Sequence, residues 1–241
     1  MISLTVGVLA LQGGFAEHIA LVRKAANTLP SANLALRFHA IEVRNVADLR
    51  RCDALIIPGG ESTTISLVAA QSGLLEPLRD FVKVQKKPVW GTCAGLILLS
   101  EQANATKQGG QDLIGGLAVR VHRNHFGRQI ESFQADLRLP FLDGDDTPAT
   151  PFPGVFIRAP VVEEVLPGAR VQPATHPVEV LAKLPGRVHK VKAGVSQAST
   201  KEDAGDVIAV RQGNVFGTSF HPELTADARI HRWWLRGILQ A

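Results

Sequence analysis

The sequence predicts an α/β fold, with a mostly parallel central sheet, helices on both of its faces and additional antiparallel strands in the C-terminal half. Apolar, β-branched runs alternate with helical stretches over the first ~100 residues, as in parallel sheets. The second half instead carries successive strand-like stretches with few helical patterns between them. The chain has 241 residues, 45% of them hydrophobic, enough for one substantial core. We therefore expect residues 1–241 to form a single domain.

The first half contains two continuous apolar runs that are typical of strands covered on both faces. They are LTVGVLAL (4–11) and DALIIPGG (53–60), and the second ends in a Pro-Gly-Gly turn. The other elements of this half are shorter or alternate in polarity. They are predicted as strands at 34–43 and 88–91, and as helices at 15–29, 63–71, 74–86 and 94–103.

The second half is predicted to be mainly β structure that ends in a helix. The predicted strands lie within 117–139 on either side of residues 124–127, and at 154–165, 178–184, 188–194 and 206–220. Within the last range, Gln212-Gly213 predicts a hairpin. Residues 223–240 predict a closing helix, with Trp233 and Trp234 on or near its buried face. Two stretches rich in turn-forming residues, 142–153 and 195–205, predict surface loops.

Composition limits the function. The net charge is +4 without a long basic run, and aromatic residues make up only 5%, so nucleic-acid binding gains little support. No apolar run is long enough to span a bilayer, and the apolar N-terminus lacks the basic start of a signal peptide. Cys52 and Cys93 have neither disulfide-framework nor metal-ligand spacing. We expect a cytoplasmic protein without metal, cofactor, nucleic-acid or membrane binding.

Gly-Thr-Cys-Ala-Gly at 91–95 places Cys93 between two glycines, after a strand and before a helix. The pattern G-x-nucleophile-x-G is typical of a strained elbow, where a Cβ on either flanking residue would clash. We expect an exposed sulfur at the carboxyl end of a strand and at a helix start that favours thiolate. The N–H of Ala94 would face an oxyanion. The alternative is a small buried cysteine in a glycine-rich packing turn.

The sequence SFHPEL (219–224) is the best source of a base for Cys93. Pro222 favours an extended backbone at His221, and in extended chain residues i and i+2 project to one side. Glu223 can therefore hold the imidazole of His221, the orienting role in a catalytic triad. The alternative is a capped helix start with Pro222 and Glu223 in its first turn.

PGGESTT (58–64) follows the second apolar strand and precedes a helix. Gly59 and Gly60 permit positive φ, which would let backbone N–H groups turn towards the site. Gly60 is the candidate for the second oxyanion donor. The alternative is a simple turn in which Ser62 or Thr63 caps the helix.

Taken together, the motifs at 58–64, 91–95 and 221–223 resemble class I (triad) glutamine amidotransferases. The stretches GVLALQGGFAEH (7–18), RNHFGRQIESF (123–133) and GVFIRAP (154–160) narrow the resemblance to the glutaminase subunits of pyridoxal 5′-phosphate synthase. The resemblance runs from residue 7 to about 230. Residues near 142–153 and 195–205 look like surface-loop expansions of the family pattern.

The resemblance implies roles for individual residues. Cys93 would be the nucleophile, His221 the base and Glu223 its partner. The residues implied to bind glutamine, through side chains or backbone, are Gly60, Glu61, Ser62, Arg123, Ile157 and Arg158. Gln12 is a weaker candidate for the rim of the site. Without the resemblance, the favoured interpretation of Arg123 and Arg158 is a solvated strand face.

The resemblance also implies a reaction and a partner. The reaction is hydrolysis of L-glutamine through a cysteinyl thioester, with ammonia passed to a separate (β/α)₈-barrel synthase subunit that builds pyridoxal 5′-phosphate. Two other readings of the residues remain open. One is a cysteine hydrolase of peptides or γ-glutamyl conjugates with the same triad, and the other is a binding or regulatory protein with an inactive elbow.

Overall fold

The computed structural model describes residues 3–29, 37–104, 111–123, 132–143, 150–167, 176–184 and 206–240. Twelve strands lie within these ranges. They are β1 (Ser3–Leu9), β2 (Arg37–Val43), β3 (Ala54–Ile57), β4 (Val89–Thr92), β5 (Ser100–Asn104), β6 (Leu117–His122), β7 (Phe133–Leu137), β8 (Phe152–Phe156), β9 (Val161–Val165), β10 (Glu179–Leu184), β11 (Asp206–Gln212) and β12 (Val215–Thr218).

Six α-helices accompany the strands in the part of the chain that is described. They are α1 (Phe15–Ala26), α2 (Val46–Arg50), α3 (Ser62–Gln71), α4 (Leu75–Lys83), α5 (Ala94–Leu99) and α6 (Arg229–Gln240). Two 3₁₀ turns lie at Pro140–Leu142 and Pro222–Leu224. None of these described helices combines the length and apolar character needed to cross a membrane.

The central sheet is parallel in the order β2-β1-β3-β4-β12 and continues through β11, β9, β6 and β5. Its continuation is mostly antiparallel, since β11 pairs antiparallel with β12, β9 with β11, and β6 with β9. A separate antiparallel pair is formed by β7 and β8. The predicted fold class is confirmed. The predicted hairpin is confirmed as well, because β11 and β12 pair around Gly213 with Gln212 opposite Val215.

The core lies on both faces of the sheet. On one face, Ile19 and Val22 of α1 and Ile230 and Trp234 of α6 pack in a cluster with the fully buried Trp90. On the other face a second cluster contains apolar residues of α3, α4 and α5. Strands between two such layers must be apolar on both sides, which explains the continuous runs in the sequence.

Three predicted elements differ from the structure. The predicted helix 94–103 ends at Leu99, and Ser100–Asn104 forms β5, which runs parallel to β6. Ser100 is fully buried and donates its hydroxyl to the carbonyl of Ile97, which ends the helix. Pairing with a neighbouring strand here outweighs the weak β-propensity of Ser-Glu-Gln-Ala-Asn.

The predicted strand 154–165 is two strands that join different sheets. β8 pairs with β7, β9 pairs with β6 and β11, and Arg158 breaks the run with a φ of +45°. The predicted helix 223–240 begins only at Arg229, after the 3₁₀ turn, and α2 was not predicted. In the expected loop 142–153, Leu142 belongs to a 3₁₀ turn and Phe152 begins β8. The predicted strand 188–194 and loop 195–205 lie outside the described residues.

Candidate active site

Three adjacent parallel strands bring the three sequence motifs to one edge of the sheet. The Pro-Gly-Gly turn follows β3, Cys93 follows β4 and His221 comes three residues after β12. Ile57 of β3 lies opposite Gly91 of β4, which in turn lies opposite Gly217 of β12. Because parallel strands end at the same edge, segments far apart in sequence meet there.

Cys93 occupies a strained elbow between β4 and α5. Its φ of +46° and ψ of −100° are rare for a residue with a side chain. The N–H of Cys93 donates to the carbonyl of Thr218 at 2.8 Å, which fixes the elbow to β12. A Cβ on Gly91 would lie 2.4 Å from the carbonyl carbon of Gly95, and one on Gly95 would lie 2.0 Å from the oxygen of Ile57. Glycine is therefore required on both sides of Cys93.

The sequence predicts an exposed sulfur, whereas Cys93 is only 6% exposed. The Pro-Gly-Gly turn and the imidazole of His221 cover it, since a Cβ on Gly59 would stand 2.3 Å from Cε1 of His221 and 3.3 Å from Cβ of Cys93. Burial shields the sulfur from water, which strengthens its electrostatic interaction with a charged group beside it.

His221 and Glu223 form a buried pair, as the spacing of His-Pro-Glu predicts. The N–H of His221 donates to the carbonyl of Val155 in β8 at 2.8 Å, which holds the backbone extended. Nδ1 of His221 lies 2.7 Å from Oε1 of Glu223. His221 is 8% exposed and Glu223 is 4% exposed. The capped-turn reading also holds in part, because Pro222 and Glu223 begin a 3₁₀ turn.

Electrostatics favour a charged His221–Glu223 pair. Burial alone would lower the pKa of His221, but the charges and hydrogen bonds of Cys93 and Glu223 raise it to about 10. Burial would raise the pKa of Glu223, yet His18 and His221 hold it well below its usual range. A carboxylate only accepts hydrogen bonds, so Nδ1 of His221 carries the hydrogen and Nε2 is directed to the thiol.

The Pro-Gly-Gly turn differs from the prediction in its backbone. Neither Gly59 nor Gly60 has a positive φ. Glycine is needed here for close packing, because a Cβ on Gly59 would clash with His221 and one on Gly60 would lie 2.3 Å from Oε1 of Gln12. The N–H of Gly59 donates to Oγ1 of Thr92, and the N–H of Glu61 donates to Oε1 of Gln12. These two N–H groups are therefore already engaged.

The two predicted oxyanion donors, Gly60 and Ala94, flank this engaged turn. Among the described residues, no hydrogen bond involves the N–H of Gly60. Ala94 is the first residue of α5, so its N–H has no acceptor within the helix. Both groups thus retain the capacity to donate to a bound substrate.

Glu61 and Arg123 form a polar cluster beside the turn. Glu61, rather than Ser62 or Thr63, caps α3 and accepts from the N–H of Thr64 at 2.6 Å. Burial opposes a low pKa at Glu61, but hydrogen bonds from Thr64 and Thr63 lower it. Nη2 of Arg123 lies 3.5 Å from Oε1 of Glu61 and donates to Oγ1 of Thr63 at 3.2 Å.

The remaining predicted binding residues divide into two sets. Ser62 is buried and donates its hydroxyl to Oε1 of Gln111 at 3.1 Å, so it stays beside the turn. Ile157 and Arg158 are exposed and follow β8, the strand whose Val155 holds His221. Among the described contacts, none joins Ile157 or Arg158 to Cys93 or to the Glu61 cluster.

The sequence reasoning missed a layer of buried residues behind the triad. His18, Thr92 and His231 are fully buried, and Nε2 of His18 lies 3.3 Å from Oε2 of Glu223. The available signal was the position of His18 on the apolar face of α1, in line with Ile19 and Val22. In the described part of the chain, no group of three or more His, Cys, Asp or Glu residues is arranged to hold a metal ion.

A strained cysteine elbow beside a buried His–Glu pair, on a mostly parallel sheet, is typical of enzymes that use a thiol nucleophile activated by a histidine. A model of the SNO glutamine amidotransferase family matches residues 8–240. The chain belongs to this glutamine amidotransferase family.

Similar proteins agree with this assignment. A protein of Arabidopsis thaliana named "Probable pyridoxal 5'-phosphate synthase subunit PDX2" is 45% identical, covering 97% of this chain and 85% of its own. "Pyridoxal 5'-phosphate synthase subunit PdxT" of Dehalococcoides mccartyi is 41% identical, covering 96% of this chain and 95% of its own. A crystal structure of a glutamine amidotransferase is 38% identical with a TM-score of 0.71, over 96% of this chain and 97% of that one.

Proposed function

We propose that this enzyme hydrolyses L-glutamine to L-glutamate and ammonia and supplies the ammonia to a pyridoxal 5′-phosphate synthase. The observation that carries the proposal is the buried arrangement of Cys93, His221 and Glu223 at the edge of a glutamine amidotransferase fold. The names of the similar proteins from Arabidopsis and Dehalococcoides support the link to pyridoxal 5′-phosphate.

The first half of the reaction forms a thioester. The thiolate of Cys93 attacks the side-chain amide carbon of glutamine, and the electron pair of the carbonyl moves to its oxygen. The imidazolium of His221 then gives its Nε2 proton to the departing nitrogen, and the C–N bond breaks to release ammonia. The raised pKa of His221, about 10, keeps this proton available at neutral pH.

The second half releases glutamate. Neutral His221 takes a proton from water, the resulting hydroxide attacks the thioester carbonyl, and the carbon–sulfur bond breaks to restore the thiolate. In both halves the N–H groups of Gly60 and Ala94 are the proposed donors to the oxyanion. Losing one oxyanion-hole donor typically costs an enzyme about 2.7–4 kcal/mol of transition-state stabilisation.

We assign the binding of the amino-acid end of glutamine to the Glu61 cluster and the loop after β8. An α-carboxylate needs a cation or N–H groups, and an α-ammonium needs a carboxylate or carbonyls. Arg123 and Glu61 offer both charges 3.5 Å apart. Ser62, Ile157 and Arg158 would complete the pocket, with Gln12 at its rim.

We further propose that the partner is a (β/α)₈-barrel synthase subunit and that the complex works in the cytoplasm. Both cysteines are free, which suits a reducing compartment. The family match over residues 8–240 and the continuous sheet support a single amidotransferase domain across 1–241.

The test measures glutamate and ammonia release from glutamine by this chain alone and mixed with the candidate synthase subunit. Turnover that requires Cys93 supports the proposal. Preferential hydrolysis of peptides or bulky γ-glutamyl amides without a partner would instead support the rival cysteine hydrolase. If the mixture of this chain and the synthase subunit released neither glutamate nor ammonia, the result would support a binding or regulatory protein with an inactive elbow.

A further inference from the structure

Behind the proposed triad lies a group of polar side chains with no access to solvent. His18 comes from α1, Thr92 from the end of β4 and His231 from α6, and each is 0% exposed. Buried polar groups destabilise a fold unless they are paired, so these three must satisfy one another or serve another group. Of the three, His18 contacts Glu223.

The contacts form a continuous path from Glu223 into the core. Oε2 of Glu223, the oxygen that His221 does not use, lies 3.3 Å from Nε2 of His18. The same Nε2 lies 3.2 Å from Oγ1 of Thr92, and Nδ1 of His18 lies 3.0 Å from Nε2 of His231. The contact of His18 with Oε2 is an ion-pair contact rather than a well-aligned hydrogen bond, and among the described residues no other group pairs with Oε2.

These distances determine where the hydrogens sit. Oε2 of Glu223 repels a lone pair, so Nε2 of His18 carries a hydrogen and faces both the carboxylate and Oγ1 of Thr92. Burial and the neighbouring His18 lower the pKa of His231 well below its usual value, so His231 is neutral. His231 can then donate from Nε2 to Nδ1 of His18, which leaves its own Nδ1 as an unpartnered acceptor among the described residues.

We propose that His18 is a positioning residue for the glutaminase reaction, because its Nε2–H holds Oε2 of Glu223 and thereby fixes Oε1 where it accepts from His221. The inference rests on the proposed role of Cys93, His221 and Glu223 and adds a residue to it. Glu223 is faced by His221 from its own turn, by His18 from α1 and by His231 from α6, with Cys93 beyond His221. Among these groups, only His18 contacts the second carboxylate oxygen.

Thr92 extends the effect to the oxyanion side of the site. Its Oγ1 accepts from the N–H of Gly59 at 2.9 Å and from Nε2–H of His18. One imidazole therefore connects the turn that carries Glu223, the elbow that carries Cys93 and the turn that carries Gly60. A change at His18 moves groups on both sides of the scissile bond.

The experiment compares two substitutions of His18 by steady-state kinetics with the synthase present. The amide of asparagine reaches only the position of Nδ1, whereas that of glutamine reaches the position of Nε2. We expect His18→Asn to lower kcat about 10–100-fold, the cost of a small misplacement of a catalytic group, with little change in KM. His18→Gln is expected to restore most of kcat.

The pH profile separates positioning from packing. A loosened Glu223 stabilises the imidazolium of His221 less, so the alkaline limb of the kcat profile moves to lower pH in His18→Asn. His231→Asn, which removes an equally buried imidazole without a hydrogen bond to Glu223, is expected to lower the unfolding temperature and leave that limb in place. If His18→Asn and His231→Asn lowered kcat equally and neither moved the alkaline limb of the kcat profile, the inference would be overturned.

A double-mutant cycle and one measurement on the wild type complete the test. In the Glu223→Gln background, His18→Asn should lower kcat by a smaller factor than in the wild type, because the larger part of its effect passes through the carboxylate; a full additional loss would contradict this. In the unaltered chain, ¹⁵N NMR of labelled histidines should find the hydrogen of His18 on Nε2, and a bare Nε2 would overturn the assignment even if the variants do not fold.

Failure of the proposed triad is distinguishable from failure of this inference. If Cys93→Ala retained activity, the triad itself would fail, whereas a His18→Asn variant with unchanged kinetics would contradict only the role of His18.

Discussion

The two sides of the site are built differently. The side proposed to perform the chemistry, Cys93 with His221 and Glu223, is buried and held by main-chain bonds and by imidazoles with little or no solvent access. The side proposed to hold the amino-acid end of glutamine, Glu61 with Arg123, is more exposed, and its two charges face one another at 3.5 Å. Under the proposed roles, this difference means that the reacting groups are arranged before substrate arrives, whereas the binding groups would exchange partners when glutamine enters.

The largest effect is expected from removing the nucleophile. Cys93→Ala should abolish glutamate release and leave the fold and partner binding intact, since the elbow accepts a small side chain. Cys52→Ala is the matched control. Burial raises the pKa of Cys52 to about 11, so this fully buried thiol is unreactive and its loss should leave turnover near wild type. Near-normal glutamate release by Cys93→Ala would exclude the thioester mechanism.

The next effect concerns the base and its partner. His221→Asn should lower kcat at least ~10²-fold, the scale of general acid–base catalysis. Glu223→Gln should be milder and should move the alkaline limb, set by a His221 pKa of about 10, to lower pH, because a negative charge beside the imidazolium is lost. The measurement is kcat against pH for the wild type, His221→Asn and Glu223→Gln. An alkaline limb that does not move in Glu223→Gln would count against the proposed His221–Glu223 pair.

Adding one methyl group at either glycine of the Pro-Gly-Gly turn tests whether glycine is needed there for close packing or for its backbone conformation. Gly59→Ala would place a Cβ 2.3 Å from the ring of His221, and we expect kcat to fall about 10²-fold as the base is displaced. At Gly60 the new Cβ would clash with the amide end of Gln12, which can move, and would lie a tighter but tolerable 3.3 Å from Cα of Gly13, so Gly60→Ala should cost less. Glutamate release by the two variants provides the comparison, and a greater loss at Gly60 would show that backbone conformation, not packing, governs the turn.

The smallest effect is expected on the binding side. Arg123→Gln should raise KM about 10-fold with kcat largely kept, because its contact with the amino-acid end of glutamine is the same in ground and transition states. Arg120→Gln is the control, since Arg120 lies in β6, which ends one residue before Arg123, and pairs with Glu164 instead. A fall in kcat at constant KM in Arg123→Gln would move this residue to the chemical side.

Much of the parallel half could be predicted from sequence because its inner strands are apolar on both faces, whereas the edge strand β2 alternates in polarity. The elbow and the His-Pro-Glu turn could also be predicted from sequence, because what each requires is local. The elbow requires two glycines around Cys93, and the turn requires an extended backbone before Pro222. The positions of these motifs at one edge follow from the parallel order of β3, β4 and β12.

The features that could not be predicted from sequence depend on contacts between distant parts of the chain. β5 has a sequence with weak strand character and forms only because β6 lies beside it. His18 and His231 are 213 residues apart, and nothing near either histidine indicates that they meet. The role of Gly59 was mistaken for the same reason, because the ring of His221 that excludes a Cβ there comes from the other end of the sequence.

The most direct test of the account uses a glutamine analogue with a chloromethyl ketone in place of the side-chain amide. The chain is treated with the analogue, its residual glutaminase activity is followed with the synthase present, and the modified peptide is located by mass spectrometry. The account predicts that activity falls in step with alkylation of Cys93, that Cys52 is untouched and that free glutamine protects. Full alkylation of Cys93 with activity retained, or inactivation with Cys93 unmodified, would contradict it.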